Sequence, residues 1–251
     1  MKRDLKTILL VGVSAVFLLV IIGFTSVKSG SRQVNDVLVD IEDQHGNYFT
    51  DRLEILNLLN AESTDYVLGL SVSQLDLKML EERVEANPFI KDAQVYRDIM
   101  GNLVVKVKQA QPIARVFNAK GPDQYIDEDG FLLPTSARHT ARVPIIEPER
   151  GFSWKENITE TEYGRKILSM LKYIQEDEFW RAQIAQIVIT KDGELTLLPQ
   201  VTKQEIYFGM PDELEEKFRK LKVFYKEILP NKGWNTYSVV NLKFKNQIVC
   251  E

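Results

Sequence analysis

Between Thr7 and Val27 the chain runs for 21 residues without a charged side chain, and thirteen of these, between Ile8 and Phe24, are Val, Leu, Ile or Phe. As a helix rising about 1.5 Å per residue, such a run spans roughly 31 Å, close to the thickness of a bilayer's hydrocarbon core. Each of the thirteen contributes on the order of -0.3 to -0.6 kcal/mol to insertion, enough to carry Gly12, Ser14 and Gly23 along. A secretory signal has a shorter apolar core, about 7 to 15 residues, followed by a small-x-small cleavage site. Here the run continues into Phe24-Thr25-Ser26-Val27-Lys28 with no such site. The expectation is a retained transmembrane helix over residues 7–27, preceded by a tail of residues 1–6. Lys2, Arg3 and Lys6 outweigh Asp4 in that tail, which favours a cytoplasmic N-terminus. Everything after the helix is then expected outside the cytoplasmic membrane, away from a supply of ATP.

Composition narrows the chemistry. Charged residues make up 27% and hydrophobic residues 44%, as in ordinary globular proteins. The formal net charge is -4, which gives no electrostatic footprint for nucleic acid. Cys250 is the single cysteine, so neither an intrachain disulfide nor a multi-cysteine zinc site can form. His45 and His139 lie far apart in polar, loop-like sequence, without nucleophile or metal-ligand spacing, and read as surface histidines. Neither a G-x-S-x-G nor a phosphate-cradling G-x-x-x-x-G-K-[ST] run is present. Asp127-Glu128-Asp129-Gly130 offers carboxylates to a hard cation, but it lacks an EF-hand's ligand spacing and reads as a hairpin tip. No catalytic, cofactor-binding or metal-ligating residue is assigned, and no small-molecule substrate is implied.

The periodicity beyond the helix predicts two kinds of element. Val34 to Ile41 reads as a strand. Asp51 with Glu54 three residues later signals a helix start, and Asp76 is a cap for a second helix with Leu77, Leu80 and Val84 on one face. Pro88 stops it. Ala93, Val95 and Arg97, then Leu103, Val105 and Val107, alternate with polar residues around the turn Met100-Gly101-Asn102, which predicts a hairpin. The order is β-α-α-β-β, and a sheet of three strands leaves edges with unpaired main-chain groups open to another chain. The remainder is richer in strands. Residues 113–117, 125–126, 131–133, 184–190, 194–198 and 205–208 read as strands, and residues 239–249 as one or two more. Tyr163 to Gln175 reads as a helix with Ile167, Leu168, Leu171 and Ile174 on one face. Pro211 is expected to open another, running to Leu229, with Leu214, Phe218, Leu221 and Phe224 or Tyr225 buried. Phe218, Phe224, Tyr225 and Trp234 are expected in the core. The fold class is α+β.

Several runs resemble one family in their order along the chain. Leu77 to Val84 before Asn87-Pro88, then Ile90-Lys91-x-Ala93-x-Val95-x-Arg97, the Leu103 to Val107 strand and Gln111-Pro112-x-Ala114 resemble the POTRA domain of the bacterial cell-division family FtsQ/DivIB. Tyr125 to Phe131, Val143-Pro144-Ile145-Ile146, Ile206 to Gly209 and Val240 to Phe244 are similar to the family's β-domain. There are departures: Asn87 replaces a leucine before the proline, Phe89 replaces a tryptophan after it, and Asn241-Leu242-Lys243-Phe244 stands for Asp-Leu-Arg-Tyr. The resemblance implies a tail of residues 1–6, a span of residues 7–27, a POTRA domain of residues 28–117 and a β-domain of residues 118–251.

The resemblance also implies a non-enzymatic, single-pass scaffold of the division septum. Such a protein binds the single-span partners FtsB and FtsL and helps to recruit and regulate septal peptidoglycan synthesis. A partner strand would add to the last strand of the β-domain, over Phe244 to Val249. The implied contact residues are Lys243, Phe244, Asn246, Ile248, Val249 and Cys250, with alternate side chains giving selectivity. Two rivals differ in class. A POTRA-bearing factor for outer-membrane protein assembly or secretion would need many alternating strands of about ten residues for its barrel. An anchored wall-modifying enzyme would need paired carboxylates or an activated nucleophile in a cleft, and neither assembles from this sequence.

Overall fold

The computed structural model describes residues 12–20, 33–42, 46, 48–60, 67–71, 74–149 and 154–251. Residues 12–20 are helical, and Val13, Val16, Phe17, Leu18, Leu19 and Val20 are all exposed. The rest of the expected 7–27 span lies outside the described residues. Among the described residues no helix is long and apolar enough to cross a membrane. The chain divides into two compact units, one of Met1–Asp43 with Thr50–Gln109, the other of Gln44–Phe49 with Ala110–Glu251.

In the first unit, strand β1 (Val37–Glu42) is followed by helices α1 (Arg52–Leu59) and α2 (Leu77–Glu85) and strands β2 (Ile90–Arg97) and β3 (Leu103–Gln109). The sheet order is β1-β3-β2. β3 pairs parallel to β1 and antiparallel to β2, with Val37, Ala93 and Val95 set opposite Leu103, Val107 and Val105. The β-α-α-β-β order and the hairpin are those expected. Both helix starts also stand: Asp51 accepts from the Glu54 amide at 2.8 Å and Asp76 from the Met79 amide at 3.1 Å. One core joins Ile55, Leu59, Leu80 and Val84 of the helices to Val95, Leu103, Val105 and Val107 of the sheet. Asn87, only 9% exposed, donates to Glu54 at 2.9 Å and accepts from the Phe89 amide at 3.0 Å. The departure from leucine there thus ties α1 to the corner that enters β2.

The expected open edge of β2 is corrected. Glu85 accepts from the Ala93 amide at 3.1 Å and Glu81 from the Val95 amide at 2.8 Å. Two α2 carboxylates therefore occupy the main-chain donors that an added strand would use. β1 is held at its start, where Asp36 accepts from the Val37 amide and Arg52 donates to the Val37 carbonyl.

The second unit is a nine-stranded sheet, ordered β12-β11-β10-β9-β8-β7-β4-β5-β6. Its strands are β4 (Pro112–Val116), β5 (Gln124–Asp127), β6 (Leu132–Pro134), β7 (Ile145–Pro148), β8 (Ile184–Ile189), β9 (Leu195–Pro199), β10 (Glu205–Gly209), β11 (Val239–Asn241) and β12 (Val249–Cys250). Helices α3 (Glu162–Glu176), α4 (Glu178–Gln183), α5 (Leu214–Val223) and α6 (Leu229–Lys232) complete it. As expected, α3 buries Ile167, Leu168, Leu171 and Ile174. Trp180 and Phe218 lie 5.0 Å apart by ring centroid and Phe208 and Phe218 5.2 Å, so α4 and α5 meet β10 through aromatic packing.

The helix expected from Pro211 starts three residues later. The Asp212 amide donates back to the Met210 carbonyl at 2.8 Å, and Glu213 takes a left-handed φ of 48°, which no regular helix continues through. Lys217 locks this entry by donating to the Met210 carbonyl at 2.8 Å and to Asp212 at 2.6 Å, with its ammonium 5.0 Å above Phe208. A π-helical turn over Phe224–Ile228 then widens the helix. Phe224 and Tyr225, adjacent in this turn, are both buried. Trp234 is corrected from core to surface, at 49% exposure. His139 is half-buried rather than free at the surface, edge-on to Phe49 with centroids 4.9 Å apart. His45 lies outside the described residues.

Removing the two carboxylates of α2 tests the edge closure. A Glu81→Ala/Glu85→Ala variant is expected to lose about 1 kcal/mol per hydrogen bond and to self-associate through the uncovered β2 edge. Size-exclusion chromatography with light scattering of the full chain in detergent should show concentration-dependent dimers that the parent lacks.

Candidate partner-binding edge

The second unit's sheet ends at β6 on one side and β12 on the other. The β6 side is closed. Leu132 donates to the Glu156 carbonyl at 2.9 Å, Phe131 forms a bridge with Asn157, and Pro134 ends the strand without an amide to offer. Gly130 closes the turn before it, with φ of 87°, and the Asp127 carboxylate accepts from the Asp129 and Phe131 amides at 2.9 and 2.8 Å. The hairpin-tip reading of Asp127 to Gly130 therefore holds, because Asp127 is turned onto its own main chain.

The β12 side is built from Val239 onward. Val240 and Leu242 are fully buried, and Leu242 donates to the Tyr207 carbonyl at 2.9 Å, which seats β11 along β10. β12 returns antiparallel, with Val240 opposite Cys250 and Asn241 opposite Val249. Val239 and Glu251 exchange both main-chain bonds, at 3.1 and 3.0 Å. In an antiparallel ladder such pairs alternate with pairs whose main chains point outward. The Cys250 N–H and C=O therefore face away from β11, as do those of Ile248, while Val249 and Glu251 face inward.

The link between the two strands corrects the expected terminal strand. Phe244 to Val249 is not one continuous strand: Phe244 to Asn246 form a turn, and only Val249 and Cys250 are extended in the ladder. The turn is made by specific contacts. Asn241 accepts from the Lys243 amide at 3.0 Å, and Asn246 adopts φ of 56°, a left-handed conformation that asparagine tolerates better than most residues. Lys220 of α5 donates to the Leu242 and Phe244 carbonyls at 2.9 and 2.7 Å, and Glu216 accepts from the Asn246 amide at 3.3 Å. Lys243 leaves the edge and reaches Glu194 at 3.0 Å. Its aliphatic stem lies against Gly209, where an added Cβ would come within 2.9 Å of Lys243 Cγ.

Of the six expected contact residues, Val249 and Cys250 form the edge strand and Ile248 leads into it. Phe244, 46% exposed, and Asn246 sit on the turn, and Lys243 points back over the sheet. Ile248 and Cys250 pack against the core, and burial pushes the Cys250 thiol above its ordinary value. Thiolate is then scarce at neutral pH, so this cysteine is a poor nucleophile. Lys220 and Glu216 were missed as parts of this edge. Their i, i+4 spacing marked a helix-surface ion pair, but nothing in sequence revealed that both reach a turn more than twenty residues away.

Comparison with known proteins agrees with this architecture. Residues 111–251 match the family described as FtsQ/DivIB, C-terminal related, which is more than half of the chain. The chain belongs to that family. Residues 32–108 match a POTRA-like domain. The cell division protein FtsQ of Rhodothermus marinus is 28% identical over 185 residues, covering 72% of this chain and 67% of that protein. Both findings place the chain among bacterial cell-division proteins.

The alternation along β12 predicts opposite effects for two neighbouring prolines. Val249→Pro removes an inward amide and should cost about 1 kcal/mol or more, lowering the melting temperature by roughly 2–4 °C. Cys250→Pro removes an outward amide, which an edge strand tolerates, and should shift melting by about 1 °C or less. Differential scanning calorimetry of both variants checks the register of the edge.

Proposed function

We propose that this chain is a non-enzymatic scaffold of the bacterial division complex, held in the cytoplasmic membrane by residues 7–27 with its N-terminus in the cytoplasm. Its POTRA domain and β-domain work outside the membrane, at the septum. Single-span partners of the FtsB and FtsL kind bind the β-domain, and through them the complex recruits and regulates septal peptidoglycan synthesis. The observation that carries this reading is the β12 edge, which has β11 on one side and outward main-chain groups at Ile248 and Cys250 on the other. A partner segment extends the sheet there, with Val249 and Cys250 as its neighbours, Ile248 and Phe244 offering apolar contact, and Asn246 and Lys243 at the polar rim. The apolar, exposed helix over residues 12–20 supports the anchor, since a helix apolar all round needs an apolar surrounding. The anchor keeps the scaffold in the plane in which single-span partners diffuse, which raises their effective concentration for weak outer contacts.

A photo-crosslinking residue tests the site in the native cell. Placed at Val249, it should capture a small single-span coiled-coil protein, and placed at Leu38 on β1 it should not. Capture at Leu38 alone would overturn the site. Depletion of the protein should give smooth filaments without septa; normal division with a leaky outer membrane would favour the assembly factor instead.

A further inference from the structure

The first unit carries an apolar rim at the end where the chain arrives from the expected membrane span. Ile99 is 93% exposed, Met100 73% and Leu68 53%, the first two adjacent on the β2–β3 turn. All three lie beside the same short stretch of chain. Asn35 donates from its side chain to the Met100 carbonyl at 3.0 Å, and its amide reaches the Gly101 carbonyl at 3.3 Å. Val34 donates to the Leu70 carbonyl at 3.0 Å and accepts from the Gly69 amide at 3.1 Å. Five residues separate Val27 from Gln33, where the described chain resumes with a bridge to Ser71. At no more than about 3.6 Å per residue, that tether keeps this end of the unit within roughly 20 Å of the bilayer.

The turn is built in a way that suits an apolar surrounding. Asp98 accepts from the Met100 and Asn102 amides, both at 2.8 Å, and from the Asn102 side chain at 2.8 Å. Gly101 takes φ of 94°, the conformation that folds the turn back, and an added Cβ there would come 3.1 Å from Asn35. The main-chain groups around the tip are thus largely satisfied within the protein, while two large apolar side chains project outward. Water-facing tips of this kind ordinarily carry Gly, Asn, Asp or Ser. A main chain already hydrogen-bonded within itself is what an interfacial apolar contact demands, because unsatisfied polar groups are costly there.

We propose that Ile99 and Met100, with Leu68 beside them, dip into the surface of the cytoplasmic membrane and orient the first unit on it. The proposal rests on the anchor reading above. The bilayer is the occupant because the tether brings it within reach and because the rim is apolar with much of the turn's main chain satisfied. The contact adds a second point of attachment to the span. It fixes which side of the unit faces the membrane.

The test uses the full chain with Cys250→Ser, reconstituted in vesicles of phosphatidylethanolamine and phosphatidylglycerol that contain spin-labelled lipids. An environment-sensitive fluorophore is attached in turn at Ile99→Cys, Met100→Cys, Lys91→Cys and Phe17→Cys. Lys91 is exposed at the opposite end of β2, and Phe17 lies in the expected span. Labels at Ile99 and Met100 should be blue-shifted and quenched at least twofold more than the label at Lys91 by spin labels near the headgroups. The Phe17 label should be quenched by spin labels deep in the acyl chains. Deep quenching at Phe17 with Ile99 and Met100 behaving like Lys91 would overturn the rim proposal and leave the anchor standing. No quenching at Phe17 would overturn both.

Discussion

Every β-sheet that does not close on itself ends in two strands whose outer peptide groups lack a neighbour, and the treatment of those groups organises this molecule. Two edges, β2 and β6, are covered in part from within, and a third is held at its start. β2 gives its Ala93 and Val95 amides to Glu85 and Glu81, β1 is held at Val37 by Asp36 and Arg52, and β6 is covered near Leu132 by the Glu156 main chain. β12 differs. It is two residues long, anchored by β11 on one side, and presents Cys250 outward on the other. A short edge strand is itself a guard against indiscriminate pairing. A partner of the proposed kind would need side-chain contacts as well as main-chain bonds, and Phe244 and Ile248 lie on the turn and the lead-in to the strand.

The turn before β12 explains how so short a strand keeps its register. Lys220 and Glu216 on one face of α5 hold the Leu242 and Phe244 carbonyls and the Asn246 amide, so the edge is positioned by the helix rather than by its own two residues. α5 is in turn fixed by Lys217 at its entry and by Phe218 in the aromatic core. Packing, helix entry, turn and edge form one chain of dependence. A change deep in that core reaches the β12 edge through it.

Much of this was legible in the residues. Alternation at Ala93, Val95, Leu103, Val105 and Val107 predicted the hairpin, and its register follows the same pattern in the structure, because a one-residue slip would turn the apolar side chains away from the helices. Asp51 and Asp76 marked helix starts because a carboxylate three residues before an amide has a local partner. The illegible parts depend on distant groups. Pro211 looked like a helix opener, but the loop is closed by Lys217 and Phe208. Phe244 to Val249 looked extended because the run is apolar at intervals, yet Asn246 and the α5 clamp turn it. Glu81 and Glu85 carry no sequence signal for an edge role, and only the fold brings them to the edge of β2. At the β12 edge, the residues that shape it, Lys220 and Glu216, were not legible in the sequence.

The most direct test of the open edge is amide hydrogen exchange, read by NMR or mass spectrometry on the full chain with and without a peptide from an FtsB-like partner. Strand addition at β12 predicts new protection at the outward Ile248 and Cys250 amides, with Ala93 and Val95 unchanged in β2. Binding of that peptide with no added protection at Ile248 and Cys250 would contradict the account.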